Sequence, residues 1–251
     1  MEYKLYLDGK FVDASGGRTL GIINPATEAV IREVPYGTRA DAAAAFAAAA
    51  RAYDGWRSLT AYDRARPLYR AAELIRARVD DIARTLTQEV GKPHAESKGE
   101  TLAAAAQFEW YAEEVKRRWG EWVPASAPEK RLLTLRMPIG VTAAIAPWNF
   151  PLLLISRKIA PALAVGCTAV GRPASQTPLA TMEIFNCLHE AGFPPGVVNL
   201  VCCPPADFAD EAVENPVVRK ISFTGSVPVG KELWARAGKN LKRLSLELGG
   251  H

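Results

Sequence analysis

In the second half of the chain, short apolar runs alternate with longer segments whose apolar positions recur at helical spacing. The pattern predicts strands over residues 141–146, 167–170, 197–201, 220–223 and 243–248, and helices over 152–164, 178–190, 206–214 and 227–237. Strands and helices in strict alternation, joined by right-handed crossovers, predict an α/β fold with a Rossmann-like, doubly wound parallel sheet. Residues 141–177 form its clearest unit. An apolar run breaks at Pro147-Trp148-Asn149-Phe150-Pro151, resumes as a long helical segment, and is followed by a second strand that enters Arg172-Pro173-Ala174-Ser175. Proline ends a strand abruptly and is welcome in the first turn of a helix. Asn149 is therefore expected at the carboxyl edge of a parallel strand, where open α/β sheets bind ligands.

The first half is patterned differently. Residues 4–6 and 10–12 flank Asp8-Gly9, a hairpin signal, and a turn at Asn24-Pro25-Ala26-Thr27 precedes a strand over 30–34. Thr38 followed by Asp41 marks a capped helix start, and the alanine-rich stretch that follows predicts a helix to Trp56. Further helices are expected over 61–78, 79–90 and 95–118, with Gly91-Lys92-Pro93 ending the third. Phe108, Trp110, Tyr111 and Trp119 on or beside the fourth read as core packing. Pro124, Pro128 and Pro138 frame one extended segment over 131–136.

Composition changes this picture little. The chain has 251 residues, 49% hydrophobic and 23% charged, with a formal net charge of +4. That is ordinary for a globular protein. The basic pairs Arg117-Arg118 and Lys130-Arg131 read as solvated surface, so no nucleic-acid partner is expected. No apolar run reaches the ~20 residues of a membrane span, and the amino terminus lacks a signal-peptide core. A cytoplasmic protein without a membrane partner is expected. Cys167, Cys187, Cys202 and Cys203 form no CxxC pair and the three histidines are scattered, which argues against a metal site. Cys202-Cys203, at a strand end, reads as buried and structural rather than as a reactive thiol.

One turn carries candidate chemistry of its own. In Phe223-Thr224-Gly225-Ser226 a glycine stands between a strand and a helix. Backbone there can approach a pyrophosphate, and the helix start offers free N–H groups and a favourable dipole. The same turn could equally serve only as a helix cap, and the GxGxxG dinucleotide fingerprint is absent.

Four stretches in order give the chain a specific resemblance: the Pro147–Pro151 break, RPASQTP at 172–178, ISFTGSVPVGK at 221–231 and LELGG at 246–250. Together they resemble the aldehyde dehydrogenase superfamily, NAD(P)-dependent enzymes that oxidise aldehydes to acids through a cysteine thioester. RPASQTP is mildly similar to the succinate-semialdehyde branch. The resemblance implies NAD or NADP as coenzyme, an aldehyde substrate and a homo-oligomer. It implies an amino-terminal region over 1–119, an oligomerisation hairpin over 120–138 and a coenzyme-binding βαβ domain over 139–251. Asn149 matches the family's oxyanion-hole asparagine, whose plainer reading is a helix cap. Glu247 matches its general base, and its position among Leu246, Leu248 and two glycines suggests a buried carboxylate. Pro147, Trp148, Asn149, Arg172, Ser175, Gly225, Ser226 and Leu248 match coenzyme-site positions. Arg172 stands where the family usually has lysine. Cys202-Cys203 stands where it commonly has glycine, so crowding of the coenzyme groove or a shift of the next helix is expected. Lys158 matches a common family lysine and is expected to face solvent or an ion-pair partner. The family's nucleophilic cysteine lies beyond the LELGG motif, one residue after which this sequence stops, at His251. The expectation is a chain truncated before the catalytic domain and inactive alone. The competing readings are a nucleotide-binding or subunit-interaction module without turnover, and a nonfunctional truncation product.

Overall fold

A computed structural model describes residues 1–117 and 120–250. Arg118 and Trp119, at the end of the helix expected over 95–118, and His251 lie outside the described residues. Two short strands, β1 (Leu5–Leu7) and β2 (Lys10–Val12), form a hairpin, and β3 (Thr19–Ile23) and β4 (Val30–Pro35) form another. Four helices follow: α1 (Arg39–Ser58), α2 (Ala61–Ala77), α3 (Val79–Val90) and α4 (His94–Glu114), the last tightening into a 3-10 turn over Val115–Arg117. A small hairpin of β5 (Glu121–Val123) and β6 (Leu132–Thr134) stands apart from the other sheets. The alternating half contains β7 (Val141–Ile145), α5 (Pro151–Ala164), β8 (Thr168–Arg172), α6 (Leu179–Glu190), β9 (Val198–Leu200), α7 (Pro205–Glu214), β10 (Val218–Gly225), α8 (Val227–Gly238) and β11 (Arg243–Leu248).

The main sheet runs β11-β10-β7-β8-β9-β1-β2. Its first five strands are parallel, as the alternation predicts, and helices cover both faces. The β1–β2 hairpin was not expected to join this sheet. Tyr6 pairs with Leu200, so the hairpin extends the parallel core by two antiparallel strands. Several strand boundaries also move. β8 runs on to Arg172, β10 runs on to Gly225, and β6 covers only Leu132–Thr134. β3 had not been anticipated, because its sequence TLGII carries a glycine that weakens the strand pattern.

Side-chain alternation sorts the apolar residues into two cores. On β7, Ala144 belongs to the core under α2, α4, α5 and α6. Val141, Ala143 and Ile145 belong to the core under α1, α7 and α8. The neighbours Cys202 and Cys203 divide in the same way, one thiol into each core. Neither helix that follows a central strand caps itself. Glu100 of α4 accepts from the Leu152 and Leu153 amides at the start of α5 (2.9 and 3.2 Å), and Glu89 of α3 accepts from the Leu179 and Ala180 amides at the start of α6 (2.7 and 2.9 Å). Glutamate side chains on one helical layer thus close the amino-terminal ends of the next. None of the helices described is long and apolar enough to cross a membrane.

Candidate coenzyme and catalytic site

Register brings the predicted residues to one edge of the sheet. Ile145 aligns with Arg172 on β8 and with Phe223 on β10, while Thr224 and Gly225 align with Glu247 and Leu248 on β11. Everything immediately beyond these pairs, including Pro147-Trp148-Asn149, Ser175 and Ser226, therefore leaves the sheet at its carboxyl end. A groove of about 230 Å³ opens there, lined by Pro147, Trp148, Arg172, Phe223, Thr224 and Gly225, with Pro205, Ala209, Val229 and Leu233 at its apolar end. A larger cavity of about 460 Å³, at the opposite edge beside Arg64, Pro138 and Lys220, touches none of the predicted residues.

Gly225 ends β10, and a Cβ there would fall 2.3 Å from the Phe223 ring. Ser226 is the N-cap of α8, exposed, and its side chain makes no capping bond. The backbone donors at the start of this helix are thus open to a ligand, apart from the one that Pro228 removes. An open helix start beside a glycine turn suits the phosphates of a nucleotide.

Arg172 is not a surface arginine. Only 6% exposed, it donates to the Cys203 carbonyl from Nε and Nη2 (3.3 and 3.1 Å) and to Ser175 Oγ from Nη2 (2.8 Å). Burial pulls its pKa down, and the neighbouring thiols Cys202 and Cys203 act in the opposite direction. Its Nη1 meets no acceptor among the described residues. Ser175 Oγ also lies 3.2 Å from the Tyr36 hydroxyl. The crowding expected of Cys202-Cys203 does not occur. Both thiols are fully buried in the two cores, and burial pushes each pKa up to about 12. What this segment offers the groove is a backbone carbonyl that holds Arg172.

One expectation about charge is met in part and another is overturned. Lys158, expected to face solvent or an ion-pair partner, does not face solvent: its side chain in α5 is 3% exposed, and its ion-pair partner is Glu247. Glu247, expected to be buried, is 56% exposed because β11 is the outermost strand of the sheet. Lys158 Nζ donates to Thr224 Oγ1 at 2.6 Å, and that hydroxyl donates to Glu247 Oε2 at 3.1 Å. An ammonium can only donate, so the order Lys158 to Thr224 to Glu247 is fixed by chemistry. Burial lowers the Lys158 pKa, with Glu247, 4.0 Å away, acting against it. Thr224 had been missed because β10 was expected to end at Phe223. The signal for Lys158 was its position among Ile155, Ser156 and Ile159, on the buried face of an apolar helix.

Asn149 is exposed and is not the N-cap of α5, a position held by Phe150. Its Oδ1 accepts from the Phe150 amide at 3.1 Å, while its carbonyl accepts from Lys92 Nζ at 2.7 Å. Trp148 is 56% exposed, its carbonyl bonded by the Thr177 hydroxyl. Leu248 is not part of the groove. It packs against Gly230 of α8, where a Cβ would sit 2.6 Å from it.

A doubly wound sheet with an open glycine turn and ionisable groups at its carboxyl edge places the chain among α/β proteins whose ligands sit at that edge. Comparison with known proteins narrows the class: the aldehyde dehydrogenase family profile matches residues 11–251, and the chain belongs to that family. It is 47% identical to a glutarate-semialdehyde dehydrogenase of Pseudomonas putida over 98% of its own length and 51% of that protein's. It is 45% identical to an NADP+ succinate-semialdehyde dehydrogenase of Escherichia coli, again over 98% and 51%. Among solved structures it superposes on an E. coli NADP-dependent enzyme with a TM-score of 0.98 at 44% identity, covering 99% of this chain and 52% of that one. A betaine aldehyde dehydrogenase from Staphylococcus aureus in complex with NAD+ gives 0.96 at 35% identity, covering 100% and 51%. The chain spans about half the length of the relatives it matches.

Proposed function

We propose that residues 1–251 form the coenzyme-binding part of an aldehyde dehydrogenase that oxidises the semialdehyde of a dicarboxylic acid, with NADP accepted at least as well as NAD. The observation that carries the reading is the Lys158–Thr224–Glu247 chain beside the groove. Thr224 directs its proton at Glu247, so the carboxylate serves as an acceptor, and its exposure gives water access to it. Glu247 then takes a proton from the water that hydrolyses the acyl intermediate. Asn149 donates from Nδ2 to the negative oxygen that develops on the aldehyde carbonyl. Gly225, Ser226 and the start of α8 hold the pyrophosphate, and Arg172 with Ser175 faces the adenosine ribose. The coenzyme supplies the hydride acceptor. The nucleophile comes from residues outside these 251, because Cys167, Cys187, Cys202 and Cys203 are all buried and burial raises the pKa of each. The dicarboxylic semialdehyde is supported by the relatives' activities.

NADP acceptance rests on charge. Among the described residues no carboxylate lines the groove, and Arg172 keeps Nη1 free to meet a 2′-phosphate. Calorimetric titration of residues 1–251 is expected to give an NADP affinity equal to or above that for NAD. A tenfold preference for NAD, about 1.4 kcal/mol, would sink the reading. Residues 1–251 alone are expected to form no NAD(P)H from a panel of aliphatic, aromatic and semialdehyde substrates. A reconstituted enzyme, in which they are continued by the carboxyl-terminal half of the P. putida relative, is expected to turn over and to lose activity in Asn149→Ala and Glu247→Gln. Sustained turnover by the 251 residues, abolished by Cys202→Ser or Cys203→Ser, would overturn the assignment of the nucleophile. The exposed β5–β6 hairpin supports one further element of the proposal, pairing with a neighbouring subunit.

A further inference from the structure

Two side chains from the amino-terminal helical layer reach the turn that carries Asn149. Lys92, between α3 and α4, has a side chain only 10% exposed. Its Nζ pairs with Glu100 Oε2 at 2.5 Å, donates to the Asn149 carbonyl at 2.7 Å and lies 4.0 Å from the centre of the Phe150 ring. Glu100, 1% exposed at its side chain, uses its other oxygen for the Leu152 and Leu153 amides. One buried ion pair therefore fastens both ends of the turn from Asn149 to Leu153.

The Asn149–Phe150 peptide is held from both sides. Lys92 grips its carbonyl, and Asn149's own Oδ1 accepts its N–H at 3.1 Å. Because an N–H requires an acceptor, the oxygen end of the Asn149 side chain is the one turned back to the chain, and Nδ2 is the end left outward. The side-chain amide hangs from the peptide plane, so a rotation of that plane swings Nδ2 with it. Glu100 keeps the lysine paired where water is largely excluded, and it neutralises the positive end of α5.

We propose that Lys92 and Glu100 are positioning residues for Asn149, setting the plane of the 149–150 peptide and through it the direction in which Nδ2 donates. The inference rests on the reading of Asn149 as the oxyanion donor, and a double-mutant cycle separates the two. In the reconstituted enzyme Asn149→Ala is expected to lower kcat about a hundredfold or more. Lys92→Met is expected to lower it at least about tenfold, with the KM for coenzyme held within about twofold. The double variant is expected to be no slower than Asn149→Ala alone, because Lys92 acts only through Asn149. Losses that multiply in the double variant, or a Lys92→Met enzyme with its kcat intact, would overturn the positioning role. Full activity in Asn149→Ala would instead remove the oxyanion reading, and this inference with it. A second measurement needs no turnover. In residues 1–251, Lys92→Met is expected to speed hydrogen exchange of the Phe150 amide at least about tenfold while the Leu86 amide in α3 keeps its protection. Unchanged exchange at Phe150 overturns the proposal.

Discussion

Glu89 accepts from the first two amides of α6 with both of its oxygens, yet burial pushes its pKa up from 4.5 to about 8, against the opposing pull of those amides. Between these two values the folded state holds a proton that the unfolded chain has released. Stability contributed at this residue is therefore complete below about pH 4.5 and declines as pH rises towards 8. Urea midpoints measured across that window are expected to fall with pH in the native chain and to depend less on pH in Glu89→Gln; equal slopes would show that Glu89 does not govern the effect. Gly225 poses a steric question at the same scale. A methyl group there must displace the Phe223 ring, which lines the groove, so Gly225→Ala is expected to weaken coenzyme binding about tenfold, or ~1.4 kcal/mol, in the same calorimetric titration.

Elements were legible wherever a local rule decided them. Thr38 and Asp41 start α1, Pro151 opens α5, and Gly91 in the left-handed region closes α3, each close to the expected residue. Gly225-Ser226 was legible for the same reason: a glycine between strand and helix is a local signal. What escaped depends on neighbours distant in sequence. Leu246 and Leu248 flank Glu247 in a way that suggests burial, but only the strand order reveals that β11 lies at the edge and leaves the carboxylate in water. Lys158 shows the converse, a charge drawn inward because Thr224 waits on another strand. One loop shows how tightly such elements meet. Gly196, just before β9, has φ +79°, and a Cβ there would lie 2.6 Å from the Ala48 carbonyl of α1. Gly196→Ala is expected to destabilise the chain by about 2 kcal/mol or more through strain and this contact, read as a lowered urea midpoint.

Among the described residues, apolar side chains stand exposed at several places, and two of these bear on assembly. Trp122, Leu133, Leu135 and Met137 are each more than 60% exposed on or beside the β5–β6 hairpin, and Trp234 is 65% exposed on α8, next to the outer strand β11. Patches and unpaired strand edges of this kind drive association. Residues 1–251 are expected to form oligomers or aggregates in sedimentation, and Trp122→Glu with Leu133→Lys to shift them towards monomer. A clean monomer over a broad concentration range would count against an interface at the hairpin.

Cys202 and Cys203 are adjacent in the chain, yet one thiol is sealed in each core, on opposite sides of the sheet. Backbone alternation has thereby built a pair of reporters that share one loop and sense different interiors. In a background with Cys167 and Cys187 replaced by alanine, variants keeping only Cys202 or only Cys203 would time the opening of each layer by alkylation. Cys203 sits in the smaller core, which extends to the edge strand β11, and is expected to be modified first. Equal rates would mean that both layers come apart in a single cooperative event.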